Sequence, residues 1–261
     1  MTRDYNILKK ILLFFTTIDK PIMVLFDKLG LKDNILYRTY GGTKFIARAK
    51  STDINEGVAI LSGKEYPKEI LNISFKKNPI IIDAGAHIGL FTLYAKSINS
   101  SARIYAIEPI ENNIASMKNN LRLNKIKGIT VIRCALSGGK GVAKLWLFGS
   151  EFDFTTLSLL KKRFYEQYLL VSTITLRGMM RENHIKKLDV LKMDIEGEEY
   201  KVIKKDIKLI SKNVERLLVE YHEDCDRKMR KKIISILIKN NFSVIFENRN
   251  VLGFSNNQII K

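Results

Sequence analysis

Ile80-Ile81-Ile82-Asp83-Ala84-Gly85-Ala86-His87-Ile88-Gly89 opens on branched apolar side chains, turns through small residues and ends where an amphipathic helix begins. The apolar run suits a strand buried on both faces. Gly85 lets the chain turn tightly, and Gly89 lets the start of the next helix pack close to a ligand where a Cβ would intrude. This is the crossover of a nucleotide-type α/β unit. Its spacing is not G-x-G-x-x-G, which disfavours a pyrophosphate cradle for a dinucleotide. Asp83 at the strand end would repel a diphosphate and suits a cationic amino group.

Outward from this stretch, apolar runs alternate with amphipathic helices from Pro79 onward, the pattern of an α/β protein whose mainly parallel sheet carries helices on both faces. Strands are expected at Ile80–Asp83, Arg103–Ile107, Ile129–Arg133, Leu188–Met193 and Val214–Glu220. Helices are expected at Gly89–Ser97, Ile110–Leu123, Glu198–Ile210 and Asp226–Lys239. Val142–Phe148 reads as an extra strand, and Phe242–Phe246 with Val251–Phe254 as an antiparallel pair that closes the sheet. Residues 1–78 read as an appendage to a domain of residues 79–261. The appendage has an amphipathic helix over 5–18, a short helix Ile22–Leu29, and a hairpin of Leu36–Tyr40 with Lys44–Arg48 around Gly41-Gly42.

Glu108 ends the second strand in Ile107-Glu108-Pro109, where a carboxylate can accept hydrogen bonds from ribose hydroxyls. Strand, glycine turn, helix, strand and acid together indicate an adenosyl ligand with a positively charged tail, a description that S-adenosylmethionine (SAM) fits. After the third strand, Cys134-Ala135-Leu136-Ser137 offers no acid or amide to an adenine, so backbone and apolar walls are expected to hold the ring. The cofactor set is therefore Asp83, Gly85, Ala86, His87, Gly89, Glu108, Pro109 and Ala135. A strand-end acid that merely caps the following helix is the plain alternative for Asp83 or Glu108 taken singly. Cys134 reads as a packing residue, and its distance from Cys225 argues against a disulfide framework and a zinc site alike.

A second cluster, Asp189-Val190-Leu191-Lys192-Met193-Asp194-Ile195-Glu196-Gly197-Glu198-Glu199, sets acids at the carboxyl edge of the sheet, where α/β ligands bind. Glu198 and Glu199 have a plain reading as acids in the first turn of a helix. Asp194 and Glu196 do not need that role, and Gly197 permits a turn that aims them at a substrate.

These runs, with Val219-Glu220-Tyr221-His222, resemble the FkbM family of SAM-dependent methyltransferases over roughly residues 45 to 225. Upstream, Arg48, Thr52-Asp53 and Gly63-Lys64-Glu65-Tyr66 resemble the segment that precedes that family's catalytic domain. The tract Leu136–Leu170 matches least and is expected to shape the acceptor pocket. The resemblance implies a Rossmann-like class I methyltransferase fold and methyl transfer to a hydroxyl of a glycan, a lipid-linked sugar or a secondary metabolite. Methylating a hydroxyl requires a base or a metal to take its proton. Asp194 or His222 is the expected base, with Glu196 and Glu220 as orienting or hydroxyl-binding groups. The alternative is a divalent ion held by Asp194, Glu196 and Glu220.

Composition limits the partners. The chain of 261 residues is 46% hydrophobic and 28% charged with four prolines, an ordinary globular balance rather than a disordered one. Its net charge of +18 attracts anionic partners. Asn112–Ser150 holds seven Lys or Arg and no acid, which raises nucleic acid as a rival substrate. Against it, the N-P-P-Y tetrapeptide of exocyclic-amine methylation is missing, and acids at the acceptor site would repel phosphate. A non-catalytic SAM-binding protein is the other rival. No apolar run is longer than five residues, against the ~20 a membrane helix needs. Asp19-Lys20-Pro21 stands where a signal peptide would place small residues, so a cytoplasmic chain with a retained N-terminus is expected. The stripe Ile7, Leu8, Ile11, Leu12 and Phe15 either docks on the domain or lies in the interface of an anionic membrane, with Lys9 and Lys10 beside it.

Overall fold

Ile81 and Ile82, successive residues of one strand, point to opposite faces of a seven-stranded sheet, and both are fully buried. That arrangement needs apolar cover on both sides, which the alternating pattern of the sequence provides. The structure, a computed structural model, describes residues 11–148, 156–158, 167–221, 227–248 and 251–259.

Residues 11–17 are helical. They are followed by α1 (Met23–Leu29), the hairpin β1 (Asn34–Arg38) and β2 (Lys44–Arg48), α2 (Asp53–Leu61) and α3 (Lys68–Leu71). Then come β3 (Ile80–Ala84), α4 (Leu90–Ile98), β4 (Arg103–Ile107), α5 (Glu111–Leu123) and β5 (Ile129–Ile132). A second sheet follows from β6 (Ala135–Leu136), β7 (Gly141–Phe148), β8 (Thr156–Ser158) and β9 (Gln167–Ile174), in the order β6-β9-β7-β8. The chain ends with α6 (Leu176–Glu182), β10 (Leu188–Met193), α7 (Glu199–Asn213), β11 (Val214–Glu220), α8 (Arg227–Ile238), β12 (Phe242–Glu247) and β13 (Val251–Asn256).

The main sheet runs β12-β13-β11-β10-β3-β4-β5. β13 runs antiparallel to both β11 and β12, and the other neighbouring pairs are parallel, so the expected closing pair is present. Strand order reverses between β3 and β10, and the crevice at their carboxyl ends is where a doubly wound sheet takes its ligand. On one face Ile82, Leu191 and Val219 pack with Val202, Ile203 and Ile233 of α7 and α8. On the other, Ile81, Ile104 and Val190 pack with Phe91 and Ala95 of α4 and Leu71 of α3. Among the described residues no helix is long and apolar enough to cross a membrane.

One expectation changes at the periphery. The hairpin is not closed by two glycines: Arg38 pairs with Lys44, and Thr39 donates to the Thr43 carbonyl at 2.8 Å. The strands therefore start two residues earlier on the β1 side. Residues 49–78, for which no element was expected, hold α2 and α3. The extra strand expected at Val142–Phe148 is present as β7, in the second sheet. Phe45, Ile54 and Val58 share one core cluster with Ile88, Leu93 and Met117, so the N-terminal elements and the sheet domain bury a common interior.

Candidate active site

Asp83 and Lys192 are Cα partners on the adjacent strands β3 and β10. Asp83 has no exposed surface, and Lys192 is 4% exposed. The Lys192 ammonium lies 3.4 Å from Asp83 Oδ1 and 3.4 Å from Asp194 Oδ2, and donates to the Gly85 carbonyl at 2.9 Å. Thr92 donates to Asp83 Oδ2 at 2.7 Å. Burial pushes the lysine pKa down, but Asp194, Asp83 and Glu220 more than reverse this, and it is held well above its usual value. Asp83, expected to receive a ligand's amino group, is fully buried here. Asp83 is sealed beneath the turn by Lys192 and Thr92, whereas the Asp194 side chain is 28% exposed and reaches the crevice.

Gly85 adopts φ +73°, and a Cβ there would stand 1.7 Å from the Asp194 carbonyl oxygen. Its amide and that of Ala86 both donate to the Ile107 carbonyl at 3.0 Å, which ties the turn to β4. Gly89, at φ +87°, begins α4, and a Cβ there would lie 2.6 Å from Met117 Cγ. Packing against α5 thus also calls for glycine at 89.

Glu108 is 4% exposed. Its Oε1 accepts from the Ile110 amide at 3.0 Å and Asn113 Nδ2 at 3.1 Å, and its Oε2 accepts from the His87 amide at 2.9 Å. Burial raises its pKa, and these donors together with His87 only partly oppose it. Pro109 is half-buried between Glu108 and Ile110. Ala135 is buried with Ile110, Leu145 and Val171 at the start of the second sheet. Burial pushes the neighbouring Cys134 thiol up to about 11, which fits an inert packing residue.

The His87 side chain turns toward the N-terminal elements. Arg48 forks Asp53 through Nε and Nη2, both at 2.8 Å, and donates to Asn113 Oδ1 at 2.9 Å and His87 Nε2 at 2.5 Å. His87 Nδ1 lies 3.3 Å from Glu56. Asn113 links this network to Glu108. Thus β2 and α2, outside the expected cofactor set, brace Glu108.

The loop after β10 is shaped by left-handed backbone at Glu196 (φ +54°) and Gly197 (φ +104°). Glu199 fixes it by accepting from the Ile195 and Gly197 amides at 2.8 and 2.9 Å. Glu198 accepts from Ser137 Oγ at 2.9 Å and pairs with Lys201 at 2.5 Å. These two acids thus do more than favour a helix start. Glu220, at the end of β11, accepts from the Tyr66 hydroxyl at 2.9 Å. His222 lies outside the described residues. Among the described residues no three His, Cys, Asp or Glu side chains form a metal-binding group, so Asp194, Glu196 and Glu220 do not converge as an ion cage.

Lys192, Tyr66 and Arg48 were given no role from the sequence, although all three fall in stretches that carry the family resemblance. Lys192 also carried a physical signal, a charged residue inside an otherwise apolar strand, which must find buried partners.

The family model for the methyltransferase FkbM domain matches residues 83–244, more than half of the chain, and the chain belongs to that family. Methyltransferase sdnD of Sordaria araneosa is 30% identical to it over 155 residues, 49% of this chain and 60% of that protein. Methyltransferase 1 of Beauveria bassiana (strain ARSEF 2860) is 25% identical over 149 residues, 50% of this chain and 59% of that protein. The chain thus spans about three fifths of the length of these curated relatives. Among solved structures, the methyltransferase FkbM of Methylobacillus flagellatus KT aligns with a TM-score of 0.47 and 20% identity, over 76% of this chain and 53% of that one. The strand order and the family together make the fold a Rossmann-like class I methyltransferase fold.

Proposed function

We propose that this chain is a SAM-dependent O-methyltransferase acting on a hydroxyl of a glycan, a lipid-linked sugar or a small secondary metabolite. One observation carries the reading. The space above Gly85 is filled by the Asp194 carbonyl, so the glycine turn and the acid-bearing loop form a single wall of one crevice. Donor-side and acceptor-side residues then stand within reach of each other.

The chain's residues fit SAM. Glu108 spends two lone pairs of Oε1 and one of Oε2 on internal donors, which leaves one on Oε2 for a ribose hydroxyl. Asp83, Asp194 and Glu220 surround the single ammonium of Lys192, so the crevice keeps a net negative charge that suits a cationic tail. When bound, SAM supplies an electrophilic methyl group on sulfur. Asp194 accepts the hydroxyl proton as the oxygen–carbon bond forms and the carbon–sulfur bond breaks, with His222 as the second candidate base. Glu220 and Glu196 hold neighbouring hydroxyls of the acceptor.

Calorimetry with SAM and a labelled-methyl assay on hydroxyl acceptors and RNA test the reading. Wild type is expected to bind SAM at about 8 kcal/mol, a micromolar affinity. Glu108→Ala is expected to lose about 1.5 to 3 kcal/mol of it. Asp194→Asn is expected to lose ~100 to 10,000-fold in rate, far more than it loses in SAM affinity. Absence of SAM binding by wild type overturns the cofactor, and label in RNA instead of a hydroxyl compound overturns the acceptor class.

A further inference from the structure

The N-terminal helices are apolar on the wrong side as well as the right one. Leu13, Phe14, Met23 and Val24 pack inward on the core cluster of the hairpin and α5. Leu12 and Phe15 on the first helical stretch, and Ile22, Leu25 and Leu29 on and beside α1, are 51–63% exposed at helical spacing. Leu31 continues the face at 60% exposure. Of the eighteen large hydrophobic side chains exposed among the described residues, ten fall within residues 11–40. Scattered exposed leucines need no explanation, but this concentration on one set of elements does.

A second feature adjoins it. Lys118, Arg122, Lys125 and Lys127 line an open groove of about 570 Å³ on the outer edge of β5, with Ile126 and Ile129 in its floor and no acid in its lining. These four cations belong to the acid-free stretch Asn112–Ser150, which the proposed chemistry does not use. Backbone contacts link the elements that carry the groove and the apolar face. Ile18, just past the first helical stretch, bridges Thr39, and Arg38 pairs with Lys44 across the hairpin. Asn124, between Arg122 and Lys125, grips the backbone of Lys44 on both sides at 2.8 and 2.6 Å.

We infer that this surface docks on an anionic lipid bilayer, the apolar face of residues 11–31 entering the interface and the groove of α5 and β5 taking lipid phosphates. The pairing of exposed apolar stripes with a neighbouring cation cluster is what selects this occupant. Insertion of apolar side chains and attraction of each lysine to an anionic leaflet add, and either alone holds a protein weakly. A second copy of the chain would place the same cations against each other, which charge repulsion opposes.

Flotation of the full chain with phosphatidylcholine vesicles, with and without phosphatidylglycerol, at low and high salt tests the inference. Wild type is expected to float with the anionic vesicles at low salt and to be released by high salt. Lys125→Glu with Lys127→Glu, and separately Phe15→Ser with Leu25→Ser, are each expected to weaken binding by at least about tenfold. Thermal melting establishes that each variant folds. The inference is overturned if wild type floats with neither vesicle or equally with both, or if either folded variant floats like wild type. It is equally overturned by a dimer in ultracentrifugation that Phe15→Ser with Leu25→Ser dissolves, or by retention on RNA, when no flotation accompanies it.

Discussion

Tyr66 and Glu220 lie 154 residues apart in the chain and 2.9 Å apart in the fold, the phenol donating to the carboxylate. Tyr66 is 1% exposed. Burial, then the charges of Glu220, Asp194 and Glu65, push its pKa well above 10, so it stays protonated and remains a donor. It therefore orients one of the acids expected to hold the acceptor. Tyr66→Phe keeps the ring on Phe91, with which it makes an edge contact at 5.1 Å, and removes the donor. A stability loss of about 1.5 to 3 kcal/mol is expected, because the partner is charged. Calorimetry should find SAM affinity intact while the KM for the acceptor rises. An unchanged KM would detach Glu220 from acceptor binding.

Gly85 makes a sharper prediction. Alanine there meets both a backbone carbonyl at 1.7 Å and an unfavourable φ of +73°. The obstructing atom is main chain, so relief requires β3 and the Asp194 loop to separate. The combined cost of overpacking and left-handed backbone is roughly 2 to 5 kcal/mol. Gly85→Ala is expected to lower the melting temperature and abolish SAM binding together. Gly89→Ala meets its nearest atom in a side chain, Met117 Cγ at 2.6 Å, rather than in the main chain, and apart from its own positive φ should cost less. Equal effects in urea unfolding would refute this ranking.

The sheet was legible in the sequence because each buried strand is a short apolar run and each helix a periodic one, so Ile80–Asp83 and Leu188–Met193 fall within a residue of β3 and β10. The glycine turn and Glu108 were legible for the same reason: both follow a strand end directly. What escaped was set by tertiary contact. Nothing in the spacing of Arg48, Asp53 and Asn113 announces that they meet, and Tyr66 reaches Glu220 only after α3 has folded against the sheet. Asp83 shows both sides, a residue placed correctly at its strand end whose ion pair with Lys192 on the next strand the spacing did not announce. On the N-terminal helices, periodicity identified an apolar stripe but not which side of it faces the core. Leu13 and Phe14 point inward while Leu12 and Phe15 point out.

Asp53 links the brace around Glu108 to pH. Burial pushes its pKa up, but hydrogen bonds from Arg48 and the nearby positive charges outweigh it and hold the carboxyl below 3.8. A carboxyl with a depressed folded pKa contributes stability that is present above its unfolded value and is lost as pH falls through the folded one. Asp53→Asn is therefore expected to cost about 3 kcal/mol near neutrality, as removal of one partner of a buried pair does. The gap between wild type and variant should narrow as pH drops below about 4. Urea unfolding at pH 7 and pH 3 measures both, and a gap that stays constant would show that Asp53 acts by shape and not by charge.

Lys192 offers the most direct test of how the site is assembled. Its ammonium sits among Asp83, Asp194 and the Gly85 carbonyl with almost no solvent, so the charges are mutually necessary. Removing one member of a buried pair leaves an uncompensated charge, which typically costs 3 to ~5 kcal/mol. Lys192→Met and Asp83→Ala should each approach that loss, the first by stranding Asp83 and the second by removing a partner that Thr92 also grips. Together they strand no new charge between strands β3 and β10, so the double variant should be more stable than the sum of the two losses by about 1 to 3 kcal/mol. Asp194 keeps the coupling incomplete, because it still faces the vacated position from its 28% exposed side. A double-mutant cycle by urea denaturation reads the coupling energy directly. Strict additivity would mean that Lys192 serves Asp194 and the Gly85 carbonyl alone, and that Asp83 is held by Thr92 without it.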